Sequence, residues 1–378
     1  MKPKIRFKGF EGEWKASTIG EIAPLQRGYD LPTNNVISGT IPVVYSNGIL
    51  RFHNEGKCQA PAIITGRSGT IGKFTYIDHG EYWPHNTSLW VTTFHKNYPR
   101  FVYYFFQNVG FEKYATGSGV PTLNRNDIHK HIESIPSNKE EQQAIASYFT
   151  FLDSQISAST SCLASLKQMK AASLQAMFPQ EGETVPKIRF KGFEGEWNIS
   201  RLGDFSTSFS GGTPTAGVAE FYGGEIPFIR SGEIHENRTE LFLTEAGINN
   251  SSAKVVEKGT LLYALYGATS GEVGISKIKG AINQAILAIY PNKSVNKIFL
   301  SNYLQLKKQR IVGEFLQGGQ GNLSGALVKS ILVTYPSLEE QQAIASYFTS
   351  LERQISLQSQ RLEKLKQIKS VCLDKMFV

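Results

Sequence analysis

Pro3–Trp14 reads PKIRFKGFEGEW, and Pro186–Trp197 reads the same twelve residues. Further along, Glu140–Thr150 reads EEQQAIASYFT and Glu339–Thr349 repeats all eleven, while Leu166–Phe178 (LKQMKAASLQAMF) matches Leu365–Phe377 (LKQIKSVCLDKMF). Self-similarity of this kind decides the architecture, because it makes the chain two copies of one unit. The first match is offset by 183 residues and the other two by 199, so the second copy has gained 16 residues between its fixed ends. Between those ends the copies diverge but align. Ile41–Ile49 (IPVVYSNGI) parallels Ile226–Ile234 (IPFIRSGEI), GRSGTIG at Gly66–Gly72 parallels YGATSGEVG at Tyr266–Gly274, and Asn86 with Thr87 falls near Asn283 with Gln284. Gly119–Pro136 parallels Gly319–Pro336, with Leu123 matching Leu323. Identical segments at equivalent places predict one shared mechanical job. Divergent loops on a common scaffold predict contacts with different things.

At 378 residues the chain is long for one core and comfortable for two. With 40% apolar and 11% aromatic residues, each half can bury a core. No apolar run approaches the roughly 18 residues of a membrane span, and the basic stretch Met1–Phe10 is followed by Glu11 and Glu13 rather than an apolar segment, which argues against a secretory signal. Cys58, Cys162 and Cys372 form no CxxC pair and no metal-ligand spacing, so they are expected to be reduced, inert fillers in a cytoplasmic protein. The net charge of +8 is unevenly spread: residues 1–138 carry an excess of +5 and 186–337 of +4, while 139–185 and 338–378 carry −2 and +1. Positive charge therefore sits in the globular segments, where it favours polyanions through counterion release.

After Ser137 the composition changes, with no proline until Pro179. Ile145, Phe149, Leu152, Ile156, Leu163 and Leu166 step by four and three around a polar Ser159, with Met177 in the same register. Ile344, Phe348, Leu351, Ile355, Leu362, Leu365 and Met376 repeat the pattern around Gln358. Such a seam needs a partner helix, and each copy can supply the other's. Ser137 and Ser337 are the expected caps, and Glu140, Glu141, Glu339 and Glu340 suit the positive end of a helix dipole. About 39 residues would make a rod of roughly 58 Å, long enough to fix the spacing of two contact sites; two half-sites one DNA turn apart lie about 34 Å apart. The expected division is residues 1–138 as a first globular domain, 139–178 as the first helix, 179–185 as a linker, 186–337 as a second globular domain and 338–378 as the second helix.

Chemistry is hard to find. GRSGTIGK at Gly66–Lys73 fails as a phosphate-binding loop, since Phe74 stands where Ser or Thr is required, and reads instead as a tight turn beside a strand. There is no GxGxxG, HExxH or GxSxG. Six of seven histidines (53, 79, 85, 95, 129, 131) lie in the first copy and only His235 in the second, which argues against a catalytic or metal role shared by both. His129 and His131 alternate as they would on a half-wet strand. There is no NPPY-type tetrapeptide and no Pro-Asp of a PD…(D/E)xK nuclease. The chain reads as a binder that is not an enzyme.

These features together resemble the specificity subunits of type I restriction-modification systems. The resemblance rests on the opening RFKGFEGEW followed by Ile19-Gly20-Glu21 or Leu202-Gly203-Asp204, the GGTP loop at Gly211–Pro214, the late segments LNRNDI and NLSGAL, and PxxxEEQQAIA leading into a long helix. It covers the whole chain, twice. It implies an α+β fold in which two target-recognition domains of mixed structure are separated by two long antiparallel helices, an intramolecular coiled coil with pseudo-two-fold symmetry. Each domain would read one half of a bipartite, asymmetric double-stranded DNA target in the major groove, with the helices setting the unread gap. The resemblance further implies two modification (methyltransferase) subunits and restriction (nuclease/translocase) subunits as partners. S-adenosylmethionine, ATP and Mg would be used only there, leaving no cofactor and no catalytic or metal residue on this chain.

Contact residues follow from the chemistry of base edges, Arg gripping guanine and Asn or Gln adenine. In the first domain the candidates are Tyr29, Tyr45, Ser46, Asn47, Arg67, Ser68, His85, Asn86 and Arg125; in the second, Thr213, Arg230, Ser231, Glu233, Tyr266, Thr269, Asn283, Gln284 and Asn322. The alternative from a different class is a coiled-coil scaffold whose modules bind proteins without DNA specificity.

Overall fold

A computed structural model describes residues 1–117, 119–316 and 322–378. Gly319, where the second of the two late parallel segments starts, lies outside them. In the first module the strands are β1 (Lys15–Thr18), β2 (Leu25–Arg27), β3 (Ile41–Tyr45), β4 (Gly48–His53), β5 (Cys58–Gln59), β6 (Ala62–Gly66), β7 (Phe74–Ile77), β8 (Glu81–Pro84), β9 (Ser88–Val91), β10 (Ala115–Thr116), β11 (Thr122–Leu123) and β12 (Ile132–Ile135). They form two four-stranded sheets, β2-β9-β6-β7 and β4-β3-β8-β5, and two ribbons, β1-β12 and β10-β11. Helices α1 (Ile19–Ile22), α2 (Pro99–Val109) and α3 (Arg125–His129) flank them, and α4 (Lys139–Met177) follows.

The second module repeats this plan with β13 (Asn198–Arg201), β14 (Ser206–Ser210), β15 (Tyr222–Ile229), β16 (Leu241–Leu243), β17 (Lys254–Val256), β18 (Leu261–Ala264), β19 (Val273–Ile275), β20 (Gly280–Ile282), β21 (Ile286–Pro291) and β22 (Leu332–Tyr335). Its sheets run β14-β21-β18-β19 and β16-β15-β20-β17, with a β13-β22 ribbon. Both modules carry one parallel contact in an otherwise antiparallel sheet, β3 with β8 and β15 with β20. Its helices are α5 (Leu202–Phe205), α6 (Glu245–Asn249), α7 (Lys297–Leu316) and α8 (Gly325–Ser330), and α9 (Leu338–Met376) closes the chain. The fold is α+β, a tandem repeat of one scaffold.

Matched backbone bonds also locate the extra residues. Val44 and Ile229 hold equivalent places 185 residues apart, and Arg67 and Leu265 hold equivalent places 198 apart. Thirteen of the sixteen added residues therefore enter between β15 and β18. They lengthen the β15–β16 connection and build α6, whose Thr244 hydroxyl caps it by accepting from the Gly247 N–H.

The chain divides into two compact units, Met1–Ser161 with Ser359–Val378, and Cys162–Gln358. In the first, the start of α4 and the end of α9 run antiparallel: Tyr148 Oη lies 3.4 Å from Cys372 Sγ, Asp153 pairs with Lys369 at 2.6 Å, and Gln155 accepts from Arg361 at 3.2 Å. Phe377 plugs the core, its ring 5.9 Å from Phe149, 5.8 Å from Phe101 and 6.4 Å from Trp14. The second unit shows the same arrangement within itself. Ser173 Oγ lies 2.8 Å from Tyr347 Oη, Lys170 pairs with Glu352, and Phe178 packs 6.0 Å from Phe348, 5.2 Å from Phe299 and 6.1 Å from Trp197. The Met-Phe that ends each repeated helix segment is thus a core plug, burying a large aromatic ring.

Helix starts refine the expectation. In α4 the cap is Asn138 rather than Ser137, its Oδ1 accepting from the N–H groups of Glu140 and Glu141 at 2.7 and 3.2 Å. In α9 it is Ser337, accepting from Glu340. An amide oxygen reaches the first-turn N–H groups as well as a hydroxyl does. Among the described residues no helix is long and apolar enough to cross a membrane.

Candidate nucleic-acid interface

The repeated segments do their common work away from the divergent loops. Arg6 of the first PKIRFKGFEGEW grips Glu141 of the first EEQQAIASYFT through Nε–Oε1 at 2.7 Å and Nη2–Oε2 at 2.8 Å, and donates to the Gly12 and Glu11 carbonyls. Arg189 and Glu340 repeat the clasp at 2.7 and 2.7 Å, with Gly195 and Glu194. Both carboxylates are only 1% exposed, and each raises the pKa of the arginine it binds. Gln142 and Gln341 complete the clasp, their Oε1 atoms accepting from the N–H of Tyr98 and Asn296 at 2.7 and 2.8 Å. Glu141 and Glu340 are therefore buried tether points, while all four glutamates lie in the first helical turn as read from sequence, Glu140 and Glu339 exposed.

The loops at the other ends of these sheets hold the candidate readers. A matched lattice of main-chain bonds carries them. Gly28 donates to Ser88 at 3.0 Å as Gly211 does to Ile286 at 3.2 Å; His85 donates to Val44 at 2.9 Å as Asn283 does to Ile229 at 3.3 Å. Arg67 donates to Thr87 and Leu265 to Ala285, each at 2.8 Å, and the Arg67 and Leu265 carbonyls accept from Leu123 at 2.8 Å and Leu323 at 3.0 Å. A Cβ on Gly28 would stand 2.2 Å from the His85 carbonyl oxygen and one on Gly211 1.9 Å from that of Ile282, so only glycine permits this approach. The lattice pairs Asn86 with Gln284 and His85 with Asn283, one residue off the register expected from sequence.

In the first module Tyr29, Arg67 and Arg125 line one cleft of about 550 Å³ together with Arg27, Asp30 and Asn124. Arg125 opens α3, capped by Asn124, whose side chain accepts from the Asn126 N–H. Ser68 bridges Thr122 across the cleft wall. Tyr45 ends β3 with its ring 4.2 Å from that of His85; burial pushes the His85 imidazole below its ordinary pKa, against the opposing pull of the Leu31 backbone and Asp30. Asn86 donates to Asp30, which in turn lies 3.5 Å from Arg27. Ser46 and Asn47 form the β3–β4 turn, the Asn47 carbonyl accepting from Lys73 at 3.4 Å. The failed phosphate loop is, as expected, the turn between β6 and β7.

The second module puts other chemistry on the same positions. The ladders align Arg27 with Ser210, Arg67 with the buried Leu265, and Arg125 with Gly325, so the three arginines of the first cleft have no counterpart. Thr213 donates to Gln284 where Asp30 meets Asn86. Asn283 leaves its Oδ1 buried without a partner. Tyr266 and Thr269 flank a short turn in which the Thr269 hydroxyl donates to the Tyr266 carbonyl at 3.3 Å, and Asn322 is exposed just before Leu323. Arg230, Ser231 and Glu233 belong to the lengthened β15–β16 connection. Arg230 is held by Glu233 at 2.9 Å and Glu240 at 2.6 Å. Burial would raise the Glu233 pKa, but the Arg230 guanidinium and the backbone N–H groups of Arg230 and Glu240 outweigh it and bring it down to about 2. Arg230 and Glu233 are thus engaged as the clasp of this loop.

Two readings made from sequence change. His129 ends α3 rather than lying on a strand, and its Nε2 accepts from the Leu25 N–H at 2.8 Å, so it is a structural bridge; burial, then the nearby Arg125, lower its pKa and keep that lone pair free. Cys162 is exposed, whereas Cys58 and Cys372 are half-buried. Arg27 and Asp30 escaped the sequence reading. Their signal was the match of Gly28 to Gly211, which places the residues on both sides of each glycine at the mouth of the same loop. Among the described residues no group of three or more His, Cys, Asp or Glu is placed to hold a metal ion.

Comparison with known proteins bears on this geometry. Residues 11–168 and 194–367 each match the family model described as "Type I restriction modification DNA specificity domain". The chain is 32% identical over 185 residues to the type I restriction enzyme MjaIX specificity subunit of Methanocaldococcus jannaschii, covering 45% of this chain and 42% of that protein. Against the EcoR124I/EcoR124II specificity subunit of Escherichia coli it is 23% identical over 363 residues, 89% of this chain and 85% of that one. The crystal structure of a type I restriction-modification S subunit from M. genitalium superposes with a TM-score of 0.73 at 18% identity, covering 100% of this chain and 99% of the other. That likeness shows a shared fold.

Proposed function

Since the chain belongs to the type I restriction-modification DNA specificity family, with the domain present twice, we propose that it is the sequence-reading subunit of such a system, each module taking one half of a bipartite, asymmetric double-stranded DNA target. The observation that carries this reading is the matched lattice of backbone bonds bearing unmatched side chains. Tyr45 against Arg230, Arg67 against Leu265, His85 against Asn283 and Asn86 against Gln284 are what two readers of different sequences need on one scaffold. The positive excess of both globular segments supplies attraction to phosphate, and the loop side chains supply discrimination.

In this reading the long helices set the unread spacer and offer the docking surface for two modification subunits and, through them, restriction subunits. Methyl transfer and cleavage, with S-adenosylmethionine, ATP and Mg, belong to those partners in the cytoplasm. The chain itself transfers no methyl group.

The test is selection from a random duplex library by the chain bound to its modification subunit. Enrichment of two short defined sequences separated by a fixed undefined gap is expected. Failure to enrich any bipartite sequence overturns the reading in favour of a protein-binding scaffold, and methyl transfer by the isolated chain overturns the non-catalytic assignment.

A further inference from the structure

The contact between Asp30 and Asn86 settles a matter of orientation. A carboxylate only accepts hydrogen bonds, so an amide facing it must turn its NH2 group toward it and its carbonyl oxygen away. Asn86 donates to Asp30 through Nδ2. One N–H is thereby used. What remains on the open edge is the second N–H beside a free Oδ1, a donor next to an acceptor.

Adenine presents the complement of that edge in the major groove, the N7 acceptor beside the N6 amino donor. Guanine offers two acceptors, thymine an acceptor beside a methyl group, and cytosine a donor alone. The surroundings hold the amide in place. The main chain on either side of Asn86 is tied to Val44 and Arg67 through His85 and Thr87 at 2.9 and 2.8 Å, and Asp30 is itself steadied by Arg27 at 3.5 Å. Asp30 also lines the first module's cleft.

We infer that Asn86 reads an adenine in the half-site taken by the first module, with Asp30 as the positioning residue that fixes which way its amide faces. The inference rests on the DNA-reading function proposed above. The second module supplies an internal contrast, because Gln284 faces the Thr213 hydroxyl, a group that donates or accepts and so imposes no single amide orientation.

The experiment is the same duplex-library selection with the full chain and its modification subunit, run on Asn86→Ala, Asp30→Asn and Asp30→Thr, the last copying the second module. Asp30 is 70% exposed, so its substitution leaves the core intact, and retention of the second half-site's sequence checks folding in every variant. For the native chain a strong preference for adenine is expected at one position of one half-site. Asn86→Ala should reduce it by about ten-fold or more, the scale of one bidentate base contact. Asp30→Asn and Asp30→Thr, which keep Asn86 but release its orientation, should move the preference at that same position toward bases with other edge patterns. Variants that keep the native preference at every first-half position, while the native chain still selects a bipartite site, overturn the inference and leave the DNA-reading function standing. If the native chain selects no bipartite site, the function itself has failed.

Discussion

Arg6 and Glu141, 135 residues apart, meet in a two-point ion pair that is reproduced atom for atom by Arg189 and Glu340 in the second unit. One partner comes from the twelve-residue repeat and the other from the eleven-residue repeat. The two identities in the sequence are therefore two halves of one clasp, and the clasp ties the entry strap of each module to the start of its long helix.

Removing one side of a buried pair strands the other charge. Glu141→Gln is expected to cost on the order of 3 kcal/mol, read as a lower urea midpoint, and Glu340→Gln should cost a similar amount. A loss in one unit with none in the other would show that the repeated segments do not share a task.

Arg67 and Arg125 line the first cleft and have no arginine counterparts in the second module. Arg67→Ala or Arg125→Ala should alter only the first half-site. A bidentate guanine contact would appear as about 1–3 kcal/mol of lost discrimination, and a phosphate contact as uniform weakening with the salt slope reduced by about 1. Library selection across a salt series distinguishes them; a change confined to the second half-site contradicts the placement.

Glu233 is held at a pKa of about 2 against an ordinary value of 4.5. A depressed carboxyl pKa stabilises the fold fully above the ordinary value, and that contribution drains away as pH falls from 4.5 toward 2. The stability gap between the native chain and Glu233→Gln should therefore narrow over this window. Carbon-13 titration of the Glu233 carboxyl should give a midpoint near 2; a midpoint near 4.5 would mean the Arg230 clasp is not formed in solution.

Within each unit the helices pair in a fixed antiparallel register, Tyr148 with Cys372 and Ser173 with Tyr347. If the rods set the spacer, a heptad inserted in both α4 and α9 where the chain passes between units adds about 10 Å of helix, or roughly three base pairs at 3.4 Å each. Selection should return the same two half-sites with a longer gap. Altered half-sites would separate helix length from spacing.

Part of the local structure around the candidate site was legible in advance because it depends on local chemistry. The turn at Gly66–Gly72, with Arg67 on it, and the exposed position of Tyr29 follow from glycine and polar residues between apolar runs, whereas Arg125 opens a short helix. The register of Asn86 was read one residue off, since insertions in the intervening loops shift alignments that only backbone pairing can fix. That Glu240 holds Arg230 was not legible, because nothing local shows that Glu240 folds back onto it. His129 looked like part of a strand, but the cap at Asn124 starts a helical turn there.

The sequence alone determined the duplication, the long helices, their apolar seam and the division between constant and variable parts, because repetition and periodicity are properties of the chain as written. Tertiary structure alone decided what those parts touch. It joined Arg6 to Glu141, drove Phe377 into the core beside Phe149, paired Arg230 with Glu240 and turned Asn86 toward Asp30. These are contacts between residues from about ten to more than two hundred positions apart, and their partners are chosen by packing and charge in three dimensions.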